Sequence, residues 1–456
     1  MRARRLLALA SLLAALGCGK GPTPPAGAEP KGATEPPADE PPGPSPKDKV
    51  PGPSPAPEVV PVSPADRASL DAAEKKGARV DGPLASGGYQ VSIEGGTDAT
   101  AALTLLKGTK CVVALTISDG RLTDAALGAL EGFEYLESLV LARCDSLTGS
   151  GFRALARLPR LKTVSIAGGK SLTDAGLREL AAPPALDTLS LDGAPVSGEF
   201  FAAPGWARLR EASATNTPLS DAALEALAAL PLLESLDVHD TKVTDAGAKH
   251  LGRAKGLALL VLDNTAVGDA GVSAVGQLPA LKELHLAGTK VTDVGVSAVA
   301  AVSSLRVLNL EGTALTGSSF ANFPPSAGLL KLNLNGTRFG DASGPHLSRL
   351  ASLTNLSLVN CPVTAAGLAS LADLKQLTNL NLSGTKAGDG TAKLTGALPR
   401  LEVAYFDETQ LTDTGLKAAA QGPSLKFLFA RGTQATKRGA AEAARFAREG
   451  VKIVAE

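Results

Sequence analysis

The sequence predicts an α/β solenoid, with parallel strands lining a concave side and short helices on the convex side, in about 14–16 repeats of about 24 residues. Three observations carry this. An apolar-x-apolar pair stands at Leu115/Ile117, Leu139/Leu141, Val164/Ile166 and Leu189/Leu191, and from Ala212/Ala214 to Leu428/Ala430 it returns every 24 residues, nine times in succession. Hydrophobic residues make up 44% of the 456, yet aromatics only 3%. The core must then be built from Leu, Val, Ile and Ala, which suits thin stacked layers better than one large globule. Finally, polar residues recur at fixed offsets from each pair. Such a period replaces the three ordinary domains that this length would otherwise suggest.

Residues 1–17 read as a secretory signal peptide. Arg2, Arg4 and Arg5 precede an apolar run from Leu6 to Leu16, broken only by Ser11. That run is too short for a bilayer, which needs about 20 apolar residues. Ala15-Leu16-Gly17-Cys18 resembles a bacterial lipobox, and the resemblance implies lipid modification of Cys18 and a place in the bacterial cell envelope. Residues 18–62 read as a disordered tether. Sixteen of the 31 prolines fall in residues 19–64, and too few apolar side chains accompany them to offset the entropy of ordering. Residues 63–88 read as a capping segment. Ser63-Pro64-Ala65-Asp66 combines a capping hydroxyl, a first-turn proline and an acid, and predicts a helix to about Lys76, stopped by Gly77.

Residues 89–456 are the repeat itself, with Val91/Ile93 before the first pair above and Val451/Ile453 after the last. Each pair is a short strand turning two side chains inward. Five residues after the first apolar position stands Thr in nine repeats, from Thr217 to Thr433, and Cys in two, Cys144 and Cys361. Hydroxyls stacked there can satisfy backbone groups freed by the turn. Nine after it stands Asp in eight repeats (Asp124, Asp221, Asp245, Asp269, Asp293, Asp341, Asp389 and Asp413), where a carboxylate suits the positive end of a helix. Leu127/Leu130 and Leu224/Leu227 are inward helix positions. Leu-Pro, as at Leu230-Pro231 and Leu278-Pro279, then ends the helix. The string running from Leu233 to Gly247, and again from Leu281 to Gly295, resembles a leucine-rich repeat. The Thr/Cys position and the Thr-Asp-x-Gly element resemble its cysteine-containing subtype, as in bacterial proteins with TDAGL-type repeats. That resemblance implies a horseshoe and leaves function open, since the subtype serves ubiquitin-ligase substrate receptors, bacterial effectors and envelope proteins. The extra N-terminal domain of a ligase receptor does not fit between Gly19 and Tyr89.

Chemistry is sparse. Lys+Arg and Asp+Glu number 45 each, so no basic surplus favours nucleic acid. Four cysteines exclude a disulfide-dense scaffold. Gly168-Gly169-Lys170-Ser171 looks like the end of a phosphate loop, but Val164 stands where its first glycine belongs. No zinc-protease or CxxC pattern occurs. Neither an enzyme nor a cofactor is expected. Function falls to the outward strand residues. Asp237, His239, Asp263, His285 and Glu311 cluster in the middle, and His239, Asp263 and His285 could hold a divalent metal, although a solvated polar surface is the simpler reading. Asn309, Asn333, Asn335, Asn381 and Ser383 form an amide stripe. Tyr405 and Phe429, flanked by Asp407 and Arg431, form either a binding hot spot or a surface covered by the terminal cap. The expectation is a lipid-anchored envelope scaffold that binds a protein or peptide. A spacer without a ligand, and a metal- or ligand-binding protein, are the alternatives.

Overall fold

The chain divides into units Met1–Val60 and Pro61–Glu456. The computed structural model describes residues 60–455 except 182 and 326. The signal peptide, Cys18 and the proline-rich segment to residue 59 lie outside the described residues.

Helix α1 (Pro64–Lys75) begins in a full capping box: Ser63 Oγ accepts from the Asp66 N–H, and the Asp66 carboxylate accepts from the Ser63 N–H. It ends at Gly77, whose φ of 98° is open to glycine at little cost. Strand β1 (Arg79–Asp81) then pairs antiparallel with β2 (Tyr89–Ile93). From β2 to β17 (Lys452–Val454) every strand pairs parallel with the next in sequence, so the described residues form one sheet of 17 strands in chain order. The fold is therefore the predicted solenoid. Its core is the stacked apolar pairs and the inward helix residues, and Leu236, Leu260, Leu284, Leu127, Leu130, Leu224 and Leu227 are all fully buried.

The last strand departs from expectation. Ile453 pairs with Leu428 and Val454 with Phe429, so Ile453, not Val451, occupies the first apolar position. The intervening segment, Lys437–Phe446 and its exit loop, takes one residue more than the regular repeat. The convex elements also differ in kind. Several are 3₁₀ helices, among them Asp124–Leu130 and Asp341–Arg349. A Leu-x-x-Leu spacing serves a three-residue turn as well as a 3.6-residue one, and Pro345 lies inside the second of them.

The threonine column does what its spacing suggests. In all nine repeats Oγ1 donates to the carbonyl of the second apolar position, as Thr241 does to Val238 (2.7 Å) and Thr385 to Leu382 (2.6 Å). Cys361, at the same position, places Sγ 3.0 Å from the Leu334 carbonyl of the preceding repeat rather than against its own Leu358.

The aspartate column acts across repeats. Asp293 Oδ2 accepts from the Thr316 N–H (2.8 Å) and hydroxyl (2.6 Å), and its Oδ1 accepts from the N–H groups of Gly317 (3.0 Å) and Ser319 (2.9 Å). Each carboxylate thus satisfies orphan donors at the next helix's start. Asp124, Asp221, Asp245, Asp269, Asp341, Asp389 and Asp413 do likewise. Asp174, which the strict nine-residue offset misses, joins them through Ser197 and Gly198. The glycine of Thr-Asp-x-Gly gives way to this carboxylate, since a Cβ on Gly295 would sit 2.6 Å from Asp269 Oδ1. Gly149, Gly198, Gly317 and Ala365 stand in place of the aspartate in four repeats, and those repeats lack the bond. The three glycines have left-handed φ values of 96°, 83° and 92°.

Candidate functional site on the open strand face

The sheet presents three outward columns, set by register. One holds Asp237, Val261, His285, Asn309, Asn333, Ser357, Asn381, Tyr405 and Phe429. The position before the first apolar residue forms a second column, with Val307, Lys331, Asn355, Asn379, Val403 and Phe427 on successive strands. The position after the second apolar residue forms the third, with His239, Asp263, Glu311, Asn335, Asp407 and Arg431.

At the centre, His239 Nδ1 lies 2.8 Å from Asp237 Oδ1, which also accepts the His239 N–H at 3.2 Å. The carboxylate is the acceptor, so Nδ1 carries the proton. This bond to Asp237 raises the His239 pKa against the opposing effect of burial. Asp263 is pushed up by burial, against the Ala287 N–H, which it accepts at 2.6 Å, and against nearby His285. Among the described residues no group of three or more His, Cys, Asp or Glu side chains is arranged to hold a metal ion. Asp237 engages Nδ1 of His239, the Ala287 amide engages Oδ1 of Asp263, and register places His285 one strand on from Asp263.

The amide stripe has a structural duty that the sequence did not disclose. N–H groups following the second apolar residue have no backbone partner, and side chains take them. Asn309 Oδ1 accepts from Glu311 (3.2 Å), Asn333 from Asn335 (3.0 Å) and Asn381 from Ser383 (3.0 Å). Across strands, Asn335 Oδ1 accepts from Val359 (2.9 Å), and Asp407 accepts from the Arg431 N–H (2.7 Å). Each buried donor left unpaired would cost about 1–3 kcal/mol.

Tyr405, on β15 (Val403–Tyr405), and Phe429, on β16 (Phe427–Phe429), stack with centroids 4.5 Å apart and planes within 7°. Phe427, 37% exposed, extends the stack at 6.4 Å from Phe429. Sequence reasoning passed over it because the position before the strand pair was not counted as outward. Between the two alternatives for these rings, the structure gives flanking rather than covering: Val454 pairs beside Phe429 and both rings keep partial exposure.

The central cluster and the aromatics are joined by a hollow of about 320 Å³. It runs from His285, on β10 (Glu283–His285), through Asn309, Lys331, Asn355, Ser357 and Asn381 to Tyr405. Elsewhere, Lys170 of the phosphate-loop look-alike is ion-paired with Asp145 at 2.9 Å in an ordinary turn. Cys111, Cys144 and Cys361 are buried and unpaired, and burial pushes the first two thiols up to about 11.

The family description "Leucine Rich repeat" matches residues 277–300. Among solved structures, the mouse RP105/MD-1 complex aligns with a TM-score of 0.56 at 17% identity, covering 79% of this chain and 62% of that one. A leucine-rich-repeat protein of Leptospira interrogans gives 0.51 at 15% identity, covering 79% and 89%. An internalin of Listeria monocytogenes gives 0.48 at 16% identity, covering 87% and 95%. No curated protein sequence matches the chain. The solenoid of parallel strands and short helices is a leucine-rich-repeat fold.

Proposed function

We propose that the protein is a non-enzymatic recognition scaffold that binds a protein or peptide segment on its open strand face. The observation that carries this reading is the hollow: a continuous trough with a largely apolar floor, edged by amide side chains and Lys331 and ending on stacked, part-exposed aromatics, the kind of surface that anchors binding hot spots. Cys144 and Cys361, seated in the threonine column, support the cysteine-containing subtype. The test is selection of a random heptapeptide library on the full chain. Enriched peptides should lose binding to Tyr405→Ala/Phe429→Ala and keep it with Lys249→Ala/Lys393→Ala on the helix side. Absence of enrichment, or equal sensitivity on both sides, would replace this reading with a spacer that has no ligand.

The scaffold is held to the bacterial envelope by a lipid on Cys18. The basic start, the short apolar run and Gly17-Cys18 support this. Two acyl chains give stable attachment where one is marginal, at about 0.8 kcal/mol per buried methylene. Cys18→Ser is expected to move the protein from the detergent phase to the aqueous phase with unchanged circular dichroism. Wild-type protein in the aqueous phase, or a mature N-terminus elsewhere than residue 18, would leave ordinary secretion in its place.

A further inference from the structure

We infer that the hollow selects an extended acidic segment, its carboxylates taken by the outward amide nitrogens and Lys331. This rests on the recognition reading above and names its ligand chemistry. The argument begins with the internal hydrogen bonds. A backbone N–H can only meet an amide oxygen, so the bonds from Glu311 to Asn309 and from Ser383 to Asn381 fix both side chains with Oδ1 turned to the chain. Their Nδ2 groups are left as donors with no partner among the described residues. At Asn309 and Asn381 the acceptor half is thus engaged and the donor half is available, whereas Asn333 spends its Nδ2 on Glu311.

Charge follows the same sense. No carboxylate lines the hollow. Three carboxylates flank it, Glu283 beside Val307, Glu311 and Asp407; Glu311 is engaged by Asn333 Nδ2 at 3.0 Å and Asp407 by the Arg431 N–H at 2.7 Å. Lys331 lies in the trough, is exposed, and forms no ion pair among the described residues. A row of N–H donors around one unpaired ammonium complements carboxylate oxygens, and charge-assisted bonds of this kind are about twice as strong as neutral ones. From β10 to β15 there are five strand spacings, about 24 Å, which matches roughly seven extended residues. The free face of Tyr405 closes the far end, against which a proline or aromatic side chain can pack.

The test compares three blocked heptapeptides of matched length, rich in Glu, Gln or Lys, by fluorescence anisotropy on the full chain. The Glu peptide should bind best, more weakly as salt rises, and the Lys peptide worst. Asn309→Asp/Asn381→Asp keeps the oxygen that holds the backbone and replaces the outward donor with negative charge. Asp237 already makes the equivalent bond to the His239 N–H, so the melting temperature should not change. Affinity for the Glu peptide should fall roughly tenfold or more, as it should for Lys331→Glu. Equal binding of the Gln peptide, no binding of the Glu peptide, or unchanged affinity in both variants would overturn the inference. Library selection yielding non-acidic peptides that still depend on Tyr405 would overturn it too, while leaving the recognition face in place.

Discussion

Asp293→Ala is expected to lower the apparent unfolding free energy by about 3 kcal/mol, because it strands the N–H groups of Thr316, Gly317 and Ser319 together with the Thr316 hydroxyl. Asp293→Asn keeps one acceptor oxygen and should lose about half as much. The effect carries a pH signature. Burial pushes the Asp293 carboxyl up, but the Thr316 hydroxyl, the Ser319 and Thr316 amides and the Ser319 hydroxyl outweigh it, and the net pKa is lowered. In Asp341 the Thr364 hydroxyl leads and the result is again downward. A carboxyl whose pKa is lower in the folded chain stabilises fully above its unfolded value, about 3.9, and that stability is lost as pH falls through the folded value. Wild-type melting temperature should therefore drop steeply below about pH 4, and the Asp293→Ala chain should show a shallower drop. Equal slopes would remove this carboxylate from the joint.

Gly295→Ala provides the opposite kind of test, because local propensity and packing disagree on its sign. Within Asp293–Val299, alanine in place of glycine favours a helix by about 1 kcal/mol. The new Cβ, however, would meet Asp269 Oδ1 at 2.6 Å and Val291 Cγ1 at 3.1 Å. The carboxylate can retreat only by giving up the Gly295 N–H it accepts at 2.9 Å. We expect a net loss of about 2 kcal/mol, read from thermal melts, and a double substitution with Asp269→Ala should cost less than the sum of the singles. A stabilised Gly295→Ala chain would show that the repeats are spaced more loosely than these contacts require.

The fold was legible because a period is the one signal that needs no tertiary knowledge. The spacing that placed Leu236, Leu260 and Leu284 in one column is the spacing of the strands themselves. The threonine column was legible for the same reason, since its partner carbonyl lies three residues away. The aspartates were only half legible. Their place at a helix start was evident, but the donors they serve lie 23–26 residues on, and a periodic sequence does not distinguish a residue's own turn from its copy in the next repeat. The open face was legible as a set of residues and illegible as chemistry. Asp237, His239, Asp263 and His285 were placed together by register, yet which of their atoms remain available depends on backbone amides that composition does not reveal. The same holds for Asn309 and Asn381. The final strand was misread by two residues because Val451 and Ile453 satisfy the pattern equally well until the pairing partner is known.

The carboxylate joints also set where this solenoid bends. Four consecutive joints, from Asp221 to Asp293, are clamped. Beyond them, the joints that follow Gly317 and Ala365, toward Gly340 and Gly388, have no clamp, and both lie behind the strands that floor the hollow, between His285 and Tyr405. Two of the four unclamped joints therefore lie under the trough itself. A segment bound along the trough as proposed above would span both unclamped joints from the strand side, and occupancy would then stiffen this stretch of the chain.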